Sequence, residues 1–216
     1  MNNDGFSDFY EGSISARGEM EAFVDQFVGT NVPLVEWCLG PCGGVFTYNT
    51  QVGQVLGEGV TEFPRRGDRQ AAETVQRLLA EGTDPLEVIC RRGREKGVSV
   101  FASLRMNSFY GSDFARFLNG RWWWEHPEMR IRGSDGSRAV NLSYAHPEVR
   151  AFYLSVVKDV LRYDIDGFNL DFLRHPPFFG YDEPMVQAYR GWYGEEPPKG
   201  DWWWREHDWK GLLAGD

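Results

Sequence analysis

Polar side chains recur at alternate positions near the end of one apolar segment, and they are the residues of this sequence best suited to chemistry. The segment 166–173 begins with an aspartate–glycine turn and predicts a β-strand with Asn169 and Asp171 on one face. Arg174 and His175 follow at once. Barrel enzymes place their catalytic groups at the C-terminal ends of parallel strands. We therefore predict that Asp171 is catalytic; the alternative is a strand-end aspartate that only caps the next loop.

A carboxylate at such a position invites a search for a second one, because glycosidic bonds are usually cut by a pair about 5 Å or about 6.5–9.5 Å apart. Asp166 cannot be that partner of Asp171, since five strand residues span about 16 Å and put the two side chains on opposite faces. Glu36, on the predicted strand 32–39, is the best visible candidate for the second catalytic residue. Two alternatives stay open: Glu36 forms a structural ion pair with Arg105, or the partner lies in strands outside this chain.

The predicted strand 98–106 repeats the polar alternation, with Ser103, Arg105 and Asn107 on one face toward its C-terminal end. Amide and guanidinium groups directed into one barrel mouth suit a polyhydroxylated or carboxylated ligand, because they supply several directional hydrogen bonds. The substrate-binding candidates outside the tryptophans are Arg105, Asn107, Asn169, Arg174, His175 and Tyr144.

Tryptophan is unusually frequent, and six of the nine residues occur in two triplets, at 122–124 and 202–204. Indole rings can stack on the apolar faces of sugars, so Trp122, Trp123 and Trp124 are predicted to contact substrate. The alternative is that the rings pack a long loop onto the body, since tryptophan buries a large area. At least one ring of each triplet must pack in this way, because three consecutive side chains cannot all face a ligand.

The order of predicted elements is that of an α/β protein. Helical periodicity or capping signals occur at 17–29, from Asp68 to Leu79, at 84–97, at 147–163 and at about 182–193, and strands alternate with these helices. This alternation predicts parallel strands and a (β/α)8 TIM-barrel type of fold, with long loops after the strands. Only about three to four βα units are present, whereas a closed barrel needs eight. We therefore expect residues 1–216 to form one partial barrel domain, the N-terminal part of a larger one.

Composition narrows the classes of partner. Lys and Arg number 23 against 32 Asp and Glu, so the formal net charge is −9 and nucleic acid is not expected to bind. No apolar run approaches the roughly 18 residues of a membrane span, and no signal peptide is visible, so the cytoplasm is the default expectation. The three cysteines and four histidines show no zinc-binding spacing, and neither a metal nor another cofactor is predicted.

One stretch resembles a known family. The run Tyr163–Phe172 looks like the strand motif of the glycosyl-hydrolase-10-like barrel proteins, and residues 146–153 and 100–107 are similar to neighbouring parts of that family. The likeness is good over about 85–180. It implies a (β/α)8 barrel and a carbohydrate substrate, with Asp171 at the position of the aspartate that ends the motif. The family often has two acidic residues there, whereas Phe172 follows Asp171 here.

Three hypotheses follow for the function. The first is a glycoside hydrolase that acts on a poly- or oligosaccharide by carboxylate acid/base catalysis. The second is a catalytically silent barrel that binds carbohydrate, which is expected if no second carboxylate lies within about 10 Å of Asp171. The third is an interaction fragment that self-associates through the uncovered edge of the strand 166–173.

Overall fold

The computed structural model describes residues 1–41, 43–174 and 176–198. Its main sheet contains four parallel strands: β1 (Asn2–Asn3), β2 (Leu34–Cys38), β5 (Ser99–Arg105) and β8 (Gly167–Asp171). The segments that connect these strands form two small sheets. One contains β3 (Val45–Phe46) and β4 (Gln54–Val55), and the other contains β6 (Arg130–Arg132) and β7 (Arg138–Leu142). The α-helices are α1 (Ser7–Glu11), α2 (Arg17–Asp25), α3 (Arg66–Ala80), α4 (Pro85–Lys96), α5 (Arg121–Glu125), α6 (Pro147–Val160) and α7 (Glu183–Tyr193).

The main sheet has the order β1-β2-β5-β8, so each long strand pairs with the next one along the chain. A doubly wound sheet would reverse its strand order at one point, whereas a barrel adds each strand to the same side. Helices follow each of β1, β2, β5 and β8 in the chain, which gives four βα units of the barrel type. The predicted fold class, a partial TIM-barrel type of α/β protein with long loops, is confirmed.

The two faces of the main sheet differ sharply in polarity. The outer face carries Val35 and Trp37 on β2, both buried, and Trp37 meets the ring of Phe23 on α2 with centroids 5.4 Å apart. On β5, Val100 packs so closely on α4 that a side chain at Gly93 would strike it. The inner face carries polar side chains instead, because the strand alternation turns every second residue away from the helices.

Helix α4 shows how local signals define an element. The Asp84 carboxylate accepts a hydrogen bond from the Leu86 amide at 3.0 Å, and Pro85 occupies the first turn. Gly97 ends the helix at φ +70°, a conformation that suits glycine. The prediction for α4 is confirmed. The start predicted for α3 is wrong: the helix begins at Arg66, and Asp68 lies buried in its first turn.

Several elements escape the sequence patterns. The stretch 107–146, one of the long connections predicted to be loops, contains α5 and the antiparallel pair β6–β7. Neither β1 nor α1 was predicted. The predicted strand 166–173 is too long: β8 ends at Asp171, and Leu173 is 92% exposed. None of the helices in the described part of the chain has the length and apolar character needed to cross a membrane.

Candidate active site

The register of the main sheet brings a set of polar side chains together near the C-terminal ends of its strands. Cys38 on β2 pairs with Ser103 on β5, and Ser103 in turn pairs with Asn169 on β8. Two residues further along, Arg105 pairs with Asp171. Because side chains alternate along a strand, all five of these residues belong to the inner face. The two predicted polar strand ends are therefore neighbours, as their patterns require.

Asp171 has one oxygen committed to the local backbone and one available. Its Oδ1 accepts a hydrogen bond from the Leu173 amide at 2.8 Å, which bends the chain away from the sheet after β8. Its main-chain oxygen continues the ladder by accepting from the Met106 amide at 2.8 Å. The second carboxylate oxygen accepts no hydrogen bond from any described residue, and the residue is only half-buried. A half-buried carboxylate with a free oxygen can exchange a proton with a ligand.

Arg105 is a cation held inside the protein without a bonded partner. It is 7% exposed, and within residues 1–41, 43–174 and 176–198 its guanidinium makes neither a hydrogen bond nor an ion pair. Its charge acts on the Asp4 carboxyl and on the Cys38 thiol, so it points into the inner face. Guanidinium donors that no described residue occupies are able to bind the acceptors of a ligand.

Asp4 completes this group, and no sequence pattern marks it. It follows β1, where Asn3 pairs with Trp37, so it continues level with Cys38 on the inner face. Its Oδ1 accepts hydrogen bonds from the amides of Phe6 at 3.0 Å and Ser7 at 2.7 Å. Its Oδ2 accepts from the Ser7 hydroxyl at 2.5 Å.

The environment of Asp4 keeps its carboxyl ionised. Burial acts to raise the pKa of Asp4, but the hydrogen bonds from Ser7 and Phe6 and the charge of Arg105 outweigh burial. The pKa of Asp4 is therefore lowered from its ordinary value. Such a carboxylate is suited to act as a base or to stabilise positive charge.

Cys38 lies on β2, which is between β1, next to Asp4, and the strand that carries Asp171. It is two residues below the Arg105–Asp171 level. Its thiol donates to the Gly40 carbonyl at 3.2 Å and is buried. Burial is the main cause that raises the pKa of Cys38, and the negative charges of Asp4 and Asp171 add to it against the opposing effect of Arg105. The thiol thus stays protonated.

Glu36, the predicted partner of Asp171, lies elsewhere on the inner face. It pairs with Phe101, four residues before Arg105 on the same strand, so it is about 13 Å below the Arg105–Asp171 level along the strand direction. Neither Arg105 nor any other described residue forms an ion pair with Glu36. The structure therefore does not bring Glu36 beside Asp171, and the alternative Glu36–Arg105 ion pair is absent.

The other predicted ligand-binding residues have mixed placements. Asn169 donates from Nδ2 to the Ser103 hydroxyl at 3.3 Å, within the inner face. The buried Asn107 accepts from the Arg174 amide at 3.2 Å, so it ties down the loop after β8, and the side chain of Arg174 is exposed. His175 lies outside the described residues.

Tyr144 supports the site from outside it. Its hydroxyl donates to the main-chain oxygen of Met106, and its ring meets the Phe172 ring at a centroid distance of 5.5 Å. Both contacts fall on residues directly after the strand ends that carry Arg105 and Asp171. Tyr144 thus braces these two strand ends, because the Met106 amide is the group that bonds to Asp171.

The tryptophan triplet divides into three environments. Trp122 stacks on His126 at 4.2 Å and on Phe152 at 4.7 Å, both nearly parallel. Trp123 is buried and donates from its indole nitrogen to the Val140 carbonyl at 2.7 Å. Trp124 is 45% exposed and is the member of the triplet with most accessible surface. The second triplet, at 202–204, lies outside the described residues.

The group as a whole can transfer protons and bind hydroxyls. It offers the carboxylates of Asp4, after β1, and of Asp171, on β8. The Arg105 guanidinium comes from β5, between these strands, and the Asn169 amide is also on β8. Among the residues that the structure describes, no cluster of three or more His, Cys, Asp or Glu side chains is arranged to hold a metal ion.

Comparison with known proteins identifies the family and a shared fold. Residues 45–214 match the sequence model of a family described as glycosyl hydrolase-like 10. A hypothetical protein from Ruminiclostridium thermocellum superposes with a TM-score of 0.52 at 10% identity, over 92% of this chain and 94% of that one. Alpha-L-fucosidase isoenzyme 2 from Paenibacillus thiaminolyticus superposes with a TM-score of 0.50 at 14% identity, over 98% of this chain and 26% of that one. At these identities the likeness shows the fold alone. No curated protein matches the sequence.

Proposed function

Because the chain belongs to the glycosyl hydrolase-like 10 family, we propose that it is a glycoside hydrolase whose Asp171 exchanges a proton with the glycosidic oxygen. The observation that carries the proposal is the second carboxylate oxygen of Asp171, which accepts no hydrogen bond from a described residue. Its neighbour in the ladder, Arg105, has no hydrogen-bond or ion-pair partner among those residues. An acid needs an oxygen that can carry a proton to the leaving oxygen, and this one is available. The position at a strand's C-terminal end supports the same role.

The substrate is a poly- or oligosaccharide held by donors and acceptors of the inner face. Arg105 donates to hydroxyl or ring oxygens, and Asn169, whose Nδ2 already bonds to Ser103, offers its amide oxygen as an acceptor. Trp124 supplies a partly exposed indole face at the loop, while Asn107 and Tyr144 hold the strand ends in place. Arg174 extends the polar rim toward solvent.

A silent carbohydrate-binding barrel is the second candidate, and the placement of Glu36 favours it. Glu36 is about four strand residues below Asp171, too far to complete a catalytic pair within about 10 Å. The donors and acceptors described above would bind a sugar equally well without cleavage. Hydrolysis therefore has to be measured separately from binding.

The test compares Asp171→Asn with wild type on a panel of neutral aryl glycosides and oligosaccharides. We expect wild type to release sugar and the variant to lose about 10²–10⁴-fold in kcat while still binding substrate, because the amide cannot donate the acid proton. Glu36→Gln is the matched control, and it should retain activity because its side chain lies below the site. Binding of sugar by wild type without release of product would establish the silent barrel instead.

A further inference from the structure

A second carboxylate faces the same space as Asp171, although it belongs to the opposite edge of the main sheet. We propose that Asp4 is the base of the site, which removes a proton from the water that attacks the anomeric carbon, with Asp171 as the acid. This assignment rests on the proposed hydrolase function. Asp4 adjoins β1, and Asp171 ends β8, so two strands separate them.

The backbone after β1 fixes Asp4 at the inner face. Gly5 adopts φ +64°, and a Cβ at this position would collide with the carbonyl oxygen of Cys38. Only glycine allows this close approach. The Gly5 amide also donates to the Asn3 side chain at 2.7 Å. The turn is thereby locked against β2, and the carboxylate that precedes Gly5 has a defined position beside the Cys38 level.

The unpartnered Arg105 indicates that this space receives a ligand. Arg105 is buried as a residue and its guanidinium is bonded to no described residue, yet its charge acts on Asp4, and it is the lateral neighbour of Asp171. An arginine that served only to neutralise these carboxylates would form a bidentate ion pair with one of them. The donors are instead left for a substrate lying between β1 and β8.

The three strand spacings from β1 to β8 amount to about 14 Å along the sheet, and side chains on a concave face converge toward the barrel axis. The gap between the two carboxyl groups is narrower than this backbone distance, whereas the offset of Glu36 runs along the strand and is not reduced by the curvature. A gap across the barrel suits an acid and a base with a water between them, about 6.5–9.5 Å apart, better than a directly attacking nucleophile at about 5 Å. The hydrogen bonds from Ser7 and Phe6 are all donated to Asp4, so Asp4 is the member of the pair that is held ionised.

The reaction is a hydrolysis in which all atoms are accounted for. Asp4 takes one proton from water as the water oxygen bonds to the anomeric carbon. The bond from that carbon to the glycosidic oxygen breaks, and Asp171 gives its proton to the departing oxygen. The products are two hydroxyl-terminated sugars, and the proton on Asp4 returns to Asp171 through solvent. Attack from the face opposite the leaving group inverts the anomeric configuration.

Asp4 could instead serve only to shape the turn into α1, so the test uses a readout that a structural role leaves unchanged. Asp4→Asn and Asp171→Asn are compared on aryl glycosides with a poor and with a highly activated leaving group. We expect the activated leaving group to restore the rate of Asp171→Asn, because it needs no acid. It should not restore Asp4→Asn, which is expected to lose about 10²–10⁴-fold with both substrates.

Controls separate a lost base from a damaged fold. Asp8→Asn alters a neighbouring acid that bonds to Asn3 at 2.7 Å and should keep full activity. Added azide should revive Asp4→Asn by forming a glycosyl azide, which an unfolded protein cannot do. An active Asp4→Asn, or retention of configuration by wild type, overturns the assignment of Asp4 alone. If wild type cleaves nothing, the proposed function fails, and the role of Asp4 falls with it.

Discussion

Arg105 and Asp171 are lateral neighbours in the parallel ladder between β5 and β8, yet no ion pair joins their side chains. Both lie on the inner face, and Arg105 is almost fully buried. A cation and an anion at paired positions would ordinarily form a bidentate contact. Among residues 1–41, 43–174 and 176–198, nothing bonds to the cation or to the second oxygen of the carboxylate, so both groups are available to the same ligand.

The first prediction concerns Arg105→Met, which removes the guanidinium but retains much of its length. A hydrogen bond from a charged group contributes about 1.5–3 kcal/mol, so kcat/KM for a sugar substrate should fall by about 10- to 100-fold. The free energy of unfolding should change little, because Arg105 forms no hydrogen bond with any residue that the structure describes. Urea unfolding and steady-state kinetics measure the two effects, with the α4 surface variant Arg91→Met as control. A large loss of stability with unchanged kinetics would assign Arg105 a structural role.

The second prediction is a pH dependence set by Asp4. Hydrogen bonds and the Arg105 charge lower the pKa of Asp4 despite its burial, so the base stays ionised until the pH falls below the ordinary range of an aspartate. As pH falls through that lowered pKa, Asp4 takes up a proton, and both its catalytic role and its contribution to stability are lost. The acid limb of kcat/KM reports this ionisation in the free enzyme.

Ser7→Ala provides the matched comparison for that profile. It removes the hydroxyl that donates to Asp4 Oδ2 at 2.5 Å and leaves the carboxylate in place. The pKa of Asp4 should rise, and the acid limb should move to higher pH without abolishing the plateau rate. An acid limb that stays in place would show that another group controls it.

The sequence predicts those parts of the fold whose signals are local. Helix α4 has its cap, its first-turn proline and its terminal glycine within a few residues, and β8 has a continuous apolar alternation. Two matching patterns also predicted polar side chains at the C-terminal ends of β5 and β8, although the pairing of Arg105 with Asp171 came only from the structure. Each of these features can be recognised without knowing what the segment packs against.

Asp4 could not be found in this way, because its position depends on long-range contacts. Strand β1 has only two residues, and pairing with β2, more than thirty residues away, is what makes it a strand. The one local signal is Asn3-Asp4-Gly5, which predicts a turn. Glu36 illustrates the opposite case. A glutamate on a strand is a suitable residue type for catalysis, but only the strand register shows that Glu36 is level with Phe101, well below Asp171.

The third prediction is that Asp159 on α6 is a major determinant of stability. Its carboxylate accepts hydrogen bonds from Tyr48 at 3.1 Å, Thr50 at 2.9 Å and the Gln51 amide at 3.0 Å, and from Arg162 at 2.7 Å. Asp159→Ala leaves the buried Tyr48 hydroxyl and the partly buried Thr50 hydroxyl without this acceptor, and we expect a loss of about 1–3 kcal/mol in the free energy of unfolding. Urea denaturation measures it, with the exposed Glu81→Ala as control. A loss below that of the control would show that the donors find other partners.

The fourth prediction separates the roles of the tryptophan triplet. Trp124→Ala removes the most exposed ring, so it should weaken oligosaccharide binding by about 10-fold, in line with about 1–2 kcal/mol for a stacking contact, with little change in stability. Trp123→Ala empties a buried site and should cost about 3–5 kcal/mol in stability. Calorimetric titration and urea unfolding measure the two effects.

Trp122 is the internal control for that comparison, because its two ring faces are occupied by His126 and Phe152. Trp122→Ala should therefore reduce stability and leave the affinity of the folded protein for sugar nearly unchanged. If Trp124→Ala binds as tightly as wild type, the triplet only packs its loop onto the body. The recognition of sugar would then depend on the inner-face groups around Arg105 and Asp171, whose substitution should abolish it.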